Sequence, residues 1–247
     1  MVVDKTAYET DINQLVDDIC YEHSYQGKDE NIVDPRWIAR IEMQAGILAQ
    51  MFHAGVFMNN ERAVDYGCGD GKLSDEFQKK YKIALDKKGS DMVLYPRIMK
   101  YDKFMQPKDD MSYISEKDLL KKKFSIVICC SVFEHLFGRK DIEAILDLLD
   151  DTGTLCLHVL VCEEVPNDPD WFYLLKDHVT LWTNKAMSIL YNEYGFVGCA
   201  YHVEARMWFF FKDFLKYELL KEKHNFIEGI WIFSDKFVDY WKQKPYR

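Results

Sequence analysis

The sequence predicts an α/β fold in which a mostly parallel, Rossmann-like sheet is covered by helices on both faces. Ala63–Asp65 is a short apolar segment that ends in an acidic residue, and a glycine-rich stretch separates it from a helical pattern that begins at Lys72. Phe124–Cys130 is a nearly unbroken apolar run, as expected of a central parallel strand that is buried on both faces. Near the end of this region, Val197–Val203 and Met207–Phe211 lie too close in sequence for a parallel crossover, so we expect an antiparallel hairpin.

The chain has 247 residues, of which 48% are hydrophobic, and this is enough for one large core with appended segments. Residues 1–60 are predicted to form a helical cap, because apolar side chains recur at spacings of three and four after the helix start at Asp34-Pro35. Residues 61–212 are predicted to form the ligand-binding core. Residues 213–247 are predicted to be an amphipathic helical extension that packs on the sheet or on a second subunit. The apolar face of the cap consists of Trp37, Ile41, Ala45, Leu48 and Phe52.

In the first half of the core, a helix is predicted from Lys72 to Tyr81. The second strand has two candidates, Lys82–Asp86 and Arg97–Asp102, and both end in an acid. The second candidate is favoured, because its side chains are more typical of a strand and a proline precedes it. A short third strand is predicted at Met111–Ile114, followed by a helix N-cap at Ser115.

In the second half, the apolar face of a helix runs from Ile142 to Leu149, and a turn at Asp151–Gly153 is predicted to end it. The fifth strand is predicted at Thr154–Val161. Thr183 is then expected to cap a helix that stops at Gly195.

Composition excludes several classes of function. A formal net charge of −9 argues against a general nucleic-acid surface, which requires clustered positive charge. Seven cysteines without a Cys-x-x-Cys pair do not form a disulfide or zinc framework and are predicted to be reduced, mostly buried thiols. The sequence shows no apolar export segment and no apolar run of bilayer length, so we expect a cytoplasmic protein that does not bind membranes.

The glycine stretch indicates the cofactor. A dinucleotide fingerprint requires its third glycine at position 72, where this chain has a lysine, so nicotinamide cofactors are disfavoured. The pattern Asp65-x-Gly67-x-Gly69-x-Gly71 instead resembles motif I of class I S-adenosylmethionine-dependent methyltransferases. The resemblance implies a seven-stranded sheet with an antiparallel last strand, S-adenosylmethionine as cofactor and S-adenosylhomocysteine as product.

The resemblance also implies which residues bind the cofactor. In this family the glycine loop wraps the amino-acid end of the cofactor, the acid after the second strand holds the ribose, and the loop after the third strand contacts adenine. Asp102 is favoured for the ribose, although Asp86 lies at the more usual distance from motif I. The implied cofactor contacts are Asp65, Tyr66, Gly67, Gly69, Asp102, Ser115 and Ser131.

Candidate catalytic residues follow the central strand. Glu134 and His135 lie at its carboxyl end, where ligands of such sheets bind, and a carboxylate beside an imidazole can supply a general base. His178 is a second candidate base. The alternative interpretation is that Glu134 and His135 only cap the following helix. We expect no metal, because the Glu-His pair alone offers too few ligands.

Candidate substrate contacts lie in the long loop after the fifth strand. Trp171 and Tyr173 could pack against the apolar face of a sugar ring, although the same aromatic residues could simply plug the loop. Arg206, in the predicted hairpin turn, could hold a phosphate.

Three further segments, Phe133–His135, Asn167–Tyr173 and His202–Arg206, resemble bacterial methyltransferases of capsule and lipopolysaccharide biosynthesis, some of which methylate heptose. This resemblance implies O-methylation of a sugar hydroxyl on a nucleotide-linked or polysaccharide-bound sugar. The alternatives are a methyltransferase for a non-sugar acceptor and a non-catalytic scaffold. The expected partner is a small-molecule substrate, and a homodimer is possible.

Overall fold

The computed structural model describes residues 2–3, 35–86, 96–105, 107 and 110–239. Two 3₁₀ turns, Phe133–His135 and His224–Phe226, accompany the regular elements. The strands and helices in chain order are β1 (Val2–Val3), α1 (Pro35–His53), β2 (Ala63–Tyr66), α2 (Lys72–Asp86), β3 (Ile98–Tyr101), α3 (Glu116–Leu119), β4 (Phe124–Cys130), α4 (Arg139–Leu146), β5 (Leu149–His158), β6 (Val161–Cys162), β7 (Thr180–Thr183), α5 (Asn184–Glu193), β8 (Gly198–His202), β9 (Met207–Phe211), α6 (Phe214–Lys223) and β10 (Trp231–Ser234).

The main sheet has seven strands in the order β10-β8-β9-β5-β4-β2-β3. Strands β3, β2, β4 and β5 are parallel to one another, whereas β9 pairs antiparallel with both β5 and β8. A second sheet has the order β1-β7-β6. The mixed seven-stranded sheet and the antiparallel β8–β9 hairpin confirm the predicted fold class, a Rossmann-like α/β fold.

Strand β4 lies at the centre of the molecule, as its apolar sequence predicts. Val127 and Cys129 belong to the hydrophobic cluster on one face of the sheet. Ile126 and Ile128 belong to the cluster on the other face. Because both faces are covered, the open end of the strand is the place where polar side chains can meet a ligand.

Helix α1 covers one of these faces and packs against α2. Four of the five residues of its predicted apolar face are buried, and Trp37 is half-buried. The buried Gln44 side chain donates from Nε2 to the carbonyl of Ala205 at 3.1 Å, which fixes α1 to the β8–β9 turn. Within the described part of the chain, no helix is both long and apolar enough to cross a bilayer.

The early strands differ from prediction in two places. The preferred second strand is confirmed, since Ile98–Tyr101 pairs in parallel with Ala63–Tyr66. The alternative strand at Lys82–Asp86 is wrong, because these residues continue α2. The third strand at Met111–Ile114 is also wrong: Tyr113 makes only an isolated bridge to Lys100, and Met111 is 98% exposed.

The later strands differ as well. β5 begins at Leu149 and runs through Asp151–Gly153, where a turn was predicted, with a register shift against β4 near its start. The predicted helix from Thr183 is confirmed, with the threonine side chain accepting from Ala186 N.

The 213–247 segment contains α6 as predicted, but it also contributes β10, which pairs antiparallel with β8. The seventh strand of the sheet is therefore β10, and the predicted third strand is missing from the sheet.

The cysteines of the described residues are free thiols, as predicted. Cys129, Cys156, Cys162 and Cys199 are buried. Burial in an apolar core raises the pKa of the Cys129 and Cys199 thiols, so they stay protonated and pack as small apolar side chains.

Candidate active site

The glycine loop connects β2 to α2 and turns through left-handed backbone conformations. Gly67, Gly69 and Gly71 have φ values of +69°, +55° and +76°. The N–H of Gly67 donates to the carbonyl of Tyr101 at the end of β3, at 2.7 Å. A Cβ at Gly67 would lie 2.7 Å from a methyl carbon of Val132, so both the backbone and the space require glycine at this position.

Two carboxylates flank the loop. Asp65 is buried at the end of β2 and accepts from the Ser74 hydroxyl at 2.8 Å. Burial raises the pKa of Asp65 to about 7. Asp102 follows β3 and accepts from the N–H of Gly69 at 2.8 Å, while its other oxygen accepts from two main-chain N–H groups. Asp102 therefore lies against the loop, as the favoured choice of second strand predicts, and its ribose-binding role stays a prediction.

A cleft separates the glycine loop from α1. Trp37, Arg40 and Gln44 line its helix side, and Gly69 lines its loop side. Two polar atoms on the helix side, Nε of Arg40 and Oε1 of Gln44, are buried without a hydrogen-bond partner in the described part of the chain. A buried polar group without a partner is costly, so this wall of the cleft is suited to a polar ligand.

Arg40 brings a positive charge to the helix side of this cleft. Its Nη2 is 3.4 Å from the Ser131 hydroxyl, a long hydrogen bond. Burial lowers the pKa of Arg40, although the guanidinium stays charged at neutral pH. Among the residues that the structure describes, no carboxylate lies within 4.0 Å of this guanidinium.

His158, the last residue of β5, connects two strained positions. Ser131 and Arg206 adopt left-handed φ values of +59° and +50°, which are uncommon for residues with a side chain. The N–H of Ser131 donates to the His158 carbonyl at 2.9 Å, and Nδ1 of the His158 ring donates to the Arg206 carbonyl at 2.6 Å. Burial, reinforced by the charge of Arg40, lowers the pKa of His158 to about 3, so the ring is neutral.

The predicted catalytic residues converge beside Ser131. Glu134 and His135 form the 3₁₀ turn after β4, and His178 lies just before β7. The rings of His135 and His178 are 5.0 Å apart between centroids. The Tyr173 hydroxyl donates to Glu134 Oε1 at 3.0 Å and accepts from the Leu160 N–H at 3.2 Å. We refer to Glu134, His135, His178 and Tyr173 as the acceptor cluster.

The loop that carries Tyr173 presents aromatic side chains to solvent beside this cluster. Trp171 is half-buried and its ring lies 5.6 Å from that of Tyr173. The Tyr173 ring in turn lies 4.3 Å from that of His178. Phe172 is 74% exposed. The predicted aromatic substrate residues therefore lie next to the predicted bases.

Other predicted site residues are placed differently. The Tyr66 ring packs against Tyr101 at 5.0 Å between centroids, so the side chain contributes to the core. Ser115 is exposed, and its side chain caps α3 by accepting from Asp118 N. Arg206 is exposed in the β8–β9 turn.

Sequence reasoning missed the contributions of α1 and of Tyr113. Arg40 and Gln44 reach the cleft because α1 packs over the glycine loop, and their spacing of four residues beside an apolar face was the available signal. The Tyr113 hydroxyl donates to the carbonyl of Gly69 at 2.8 Å and so supports the loop from the other side.

Comparison with known proteins gives structural matches only. No family model matches the chain, and no curated protein matches its sequence. Magnesium protoporphyrin IX methyltransferase from Synechocystis PCC 6803 with bound SAM is 14% identical, with 82% of this chain and 96% of that chain covered and a TM-score of 0.40. A SAM-dependent methyltransferase from Archaeoglobus fulgidus is 15% identical, with 74% and 76% covered and a TM-score of 0.39. An O-methyltransferase family protein from Burkholderia thailandensis is 11% identical, with 81% and 70% covered and a TM-score of 0.38.

Proposed function

We propose that this protein is a methyltransferase that uses S-adenosylmethionine to methylate a hydroxyl group of a sugar. The observation that carries the proposal is the adjacency of two compartments. One is the cleft between α1 and the glycine loop, and the other is the acceptor cluster, which begins three residues after Ser131 in the cleft wall. The first suits the cofactor and the second suits the group that receives the methyl.

The cleft has the features that the cofactor requires. The buried polar atoms of Arg40 and Gln44, which have no hydrogen-bond partner among the described residues, and the positive charge of Arg40 suit the amino and carboxylate groups of an amino acid. A Cβ built at Gly69 meets nothing within 4 Å, so the loop leaves room for a ligand there. To the predicted contacts we therefore add Arg40, which we propose pairs with the cofactor carboxylate. The predicted contacts that we retain in the proposal are Asp65, Gly67, Gly69, Asp102 and Ser131, together with the main chains of Tyr66 and Ser115, since the side chains of these two residues pack on Tyr101 and cap α3.

The acceptor cluster is suited to remove a proton from a hydroxyl. When bound, the cofactor supplies an electrophilic methyl group on a sulfonium ion. The Nδ1 of His135 donates to the Asp177 carbonyl at 2.8 Å, and the Nδ1 of His178 donates to the Tyr173 carbonyl at 2.9 Å. A neutral ring that donates from Nδ1 carries its lone pair on Nε2, where it can accept a proton. Tyr173 holds the Glu134 carboxylate in place.

A sugar acceptor is supported by the surface beside this cluster. A sugar has apolar C–H faces and a rim of hydroxyls. Trp171 and the exposed Phe172 offer flat apolar surface, while the histidines and Glu134 offer polar groups next to it. Arg206 is an exposed cation in the neighbouring turn, and we propose that it binds a phosphate of a nucleotide-linked sugar.

Calorimetry tests the cofactor half of the proposal. S-adenosylhomocysteine is titrated into the purified protein, with NAD as the control ligand. We expect micromolar binding of the first and no heat from the second. Absence of binding for S-adenosylhomocysteine would contradict the proposed function.

Mass spectrometry tests the acceptor half. Nucleotide-linked heptoses and hexoses are incubated with the protein and S-adenosylmethionine, with phenolic compounds and peptides as parallel acceptors. We expect one added CH₂ unit on a sugar only. Methylation of a phenol or a peptide alone would retain the enzyme class and contradict the sugar assignment.

A further inference from the structure

Three side chains with metal-binding atoms meet in the acceptor cluster. Glu134, His135 and His178 each present one such atom, and these atoms lie within 4.8 Å of one another. His178 comes from a distant part of the sequence and supplies the third ligand that the Glu-His pair lacks on its own. The expectation of no metal assumed that this third ligand was absent.

The two histidines are held in the form that metal binding requires. Each uses Nδ1 to donate to a main-chain carbonyl, that of Asp177 for His135 and that of Tyr173 for His178. In a neutral imidazole this hydrogen bond favours the tautomer with the proton on Nδ1 and the lone pair on Nε2. Metal-ligating histidines almost always donate their other ring N–H to a carbonyl, carboxylate or water in this way. The Asp177 carboxylate, 3.7 Å from Nδ1 of His135, adds negative charge behind that ring.

The burial of the Glu134 carboxylate is the second observation that points to a cation. The residue is 3% exposed, and its Oε2 is buried without a hydrogen-bond partner among the described residues. Within the described ranges, no lysine or arginine forms an ion pair with this carboxylate. The charge of Arg40 acts on Glu134 from beyond ion-pair distance, so what Oε2 lacks among the described residues is a direct partner, and a metal ion coordinated by this oxygen would supply one.

We propose that Glu134, His135 and His178 bind a divalent first-row transition ion, which receives the acceptor hydroxyl in an open coordination position. This inference rests on the proposed function for its chemistry, but the ion site itself does not. Two histidines and one carboxylate with a remaining open position form the donor set of catalytic zinc sites. Imidazole donors favour zinc, cobalt, nickel or iron over magnesium.

The spacing of the ligand atoms allows such an ion. Ligands about 2.1 Å from one ion can be at most about 4.2 Å apart. The three ligand atoms lie within 4.8 Å of one another, so side-chain rotations of a fraction of an ångström would bring them within this distance. Tyr173 anchors Glu134 at Oε1 and leaves Oε2 for the ion.

The ion changes how the acceptor loses its proton. A hydroxyl on a divalent ion has a lowered pKa, so its proton leaves to solvent without a histidine as base. The acceptor oxygen then forms a bond to the methyl carbon as the carbon–sulfur bond breaks, and the sulfonium becomes the neutral thioether of S-adenosylhomocysteine. Charge and atoms balance, and no oxidant or reductant is required.

Cobalt provides a test that does not depend on activity. Co²⁺ is titrated into chelator-treated protein, and its visible absorption is followed for wild type, His178→Ala and the isosteric Glu134→Gln. The matched control is His224→Ala, since His224 also donates from Nδ1 to a carbonyl, that of Lys221, but lies outside the cluster. We expect saturable binding in wild type and control, and roughly tenfold or greater weakening in both cluster variants.

Two outcomes would overturn the metal site: no saturable cobalt spectrum in wild type, or unchanged affinity in both His178→Ala and Glu134→Gln. S-adenosylhomocysteine binding by calorimetry reports that each variant is folded and tests the proposed function separately. If that ligand binds and cobalt does not, the metal inference fails alone. If cobalt binds but chelator leaves methyl transfer unchanged, the catalytic role of the ion is refuted.

Discussion

Replacing Gly69 by alanine separates the ligand role of the glycine loop from its role in folding. At φ +55° the left-handed backbone destabilises an alanine by about 1–2 kcal/mol relative to glycine. The added methyl group would meet no protein atom within 4 Å. For a domain of this size each kcal/mol corresponds to a fall of about 2–4 °C in Tm. We therefore expect Gly69→Ala to remain folded with a modestly lowered Tm.

Gly195→Ala is the matched control. Gly195 follows α5 with φ +70°, and its Cβ would also meet nothing within 4 Å. It lies outside the cleft, whereas Gly69 lines the cleft. Both variants should lose similar stability in thermal denaturation, because both pay the same backbone cost.

Calorimetry with S-adenosylhomocysteine then distinguishes the two glycines. The Gly69→Ala methyl group occupies space that the ligand requires, so we expect Kd to rise at least about tenfold, which is about 1.4 kcal/mol. The control should bind as wild type does. Equal affinity in both variants would refute the placement of the ligand against the glycine loop.

Three further perturbations test neighbouring groups. Arg40→Met should weaken S-adenosylhomocysteine binding by roughly tenfold or more while leaving adenosine binding unchanged, because only the first ligand has a carboxylate; equal losses in calorimetry would refute the pairing. The pKa of Asp65 is raised by burial to about 7 from a model-peptide value of 3.8, so the folded state retains a proton that the unfolded state has lost. The free energy of unfolding should therefore fall as pH rises from about 4 to about 7 and then level, and urea titrations should show a shallower fall for Asp65→Asn. Tyr173→Phe removes the donor to Glu134 and should lower the free energy of unfolding by about 1–3 kcal/mol, whereas Tyr194→Phe, which loses a longer and more exposed hydrogen bond, should cost less in the same assay.

Local sequence patterns correctly predicted the elements that depend on residues close together in the sequence. The apolar run Phe124–Cys130 is a strand over its whole length, and the helix capped by Thr183 begins where the cap was placed. The third strand failed because Tyr113 reaches across to the glycine loop and only one bridge forms beside it. The strand Trp231–Ser234 had a usable signal, a run of aromatic and β-branched side chains, that the helical interpretation of the tail ignored.

In the candidate site, too, the features set by local sequence were predicted and the features set by tertiary packing were not. The glycine loop and the Glu134-His135 pair are contiguous in sequence, so their spacing was informative. Proximity of His178 to that pair depends on the path of a long loop, and the position of Arg40 depends on how α1 packs. Such distances follow from tertiary packing. The four-residue spacing of Arg40 and Gln44 indicates a shared helix face, but it does not indicate what that face packs against.

The two left-handed residues beside His158 limit how this site can diversify. The left-handed backbone at Ser131 costs little for glycine, asparagine or aspartate. A bulkier side chain at this position would lower the free energy of unfolding, whatever its effect on ligand binding. Arg206 is under the same constraint on the opposite side of the histidine. Under the proposed function, selection for new acceptors would therefore act mainly on the exposed loop around Trp171 and Phe172, because substitutions there do not strain the backbone at Ser131 or Arg206.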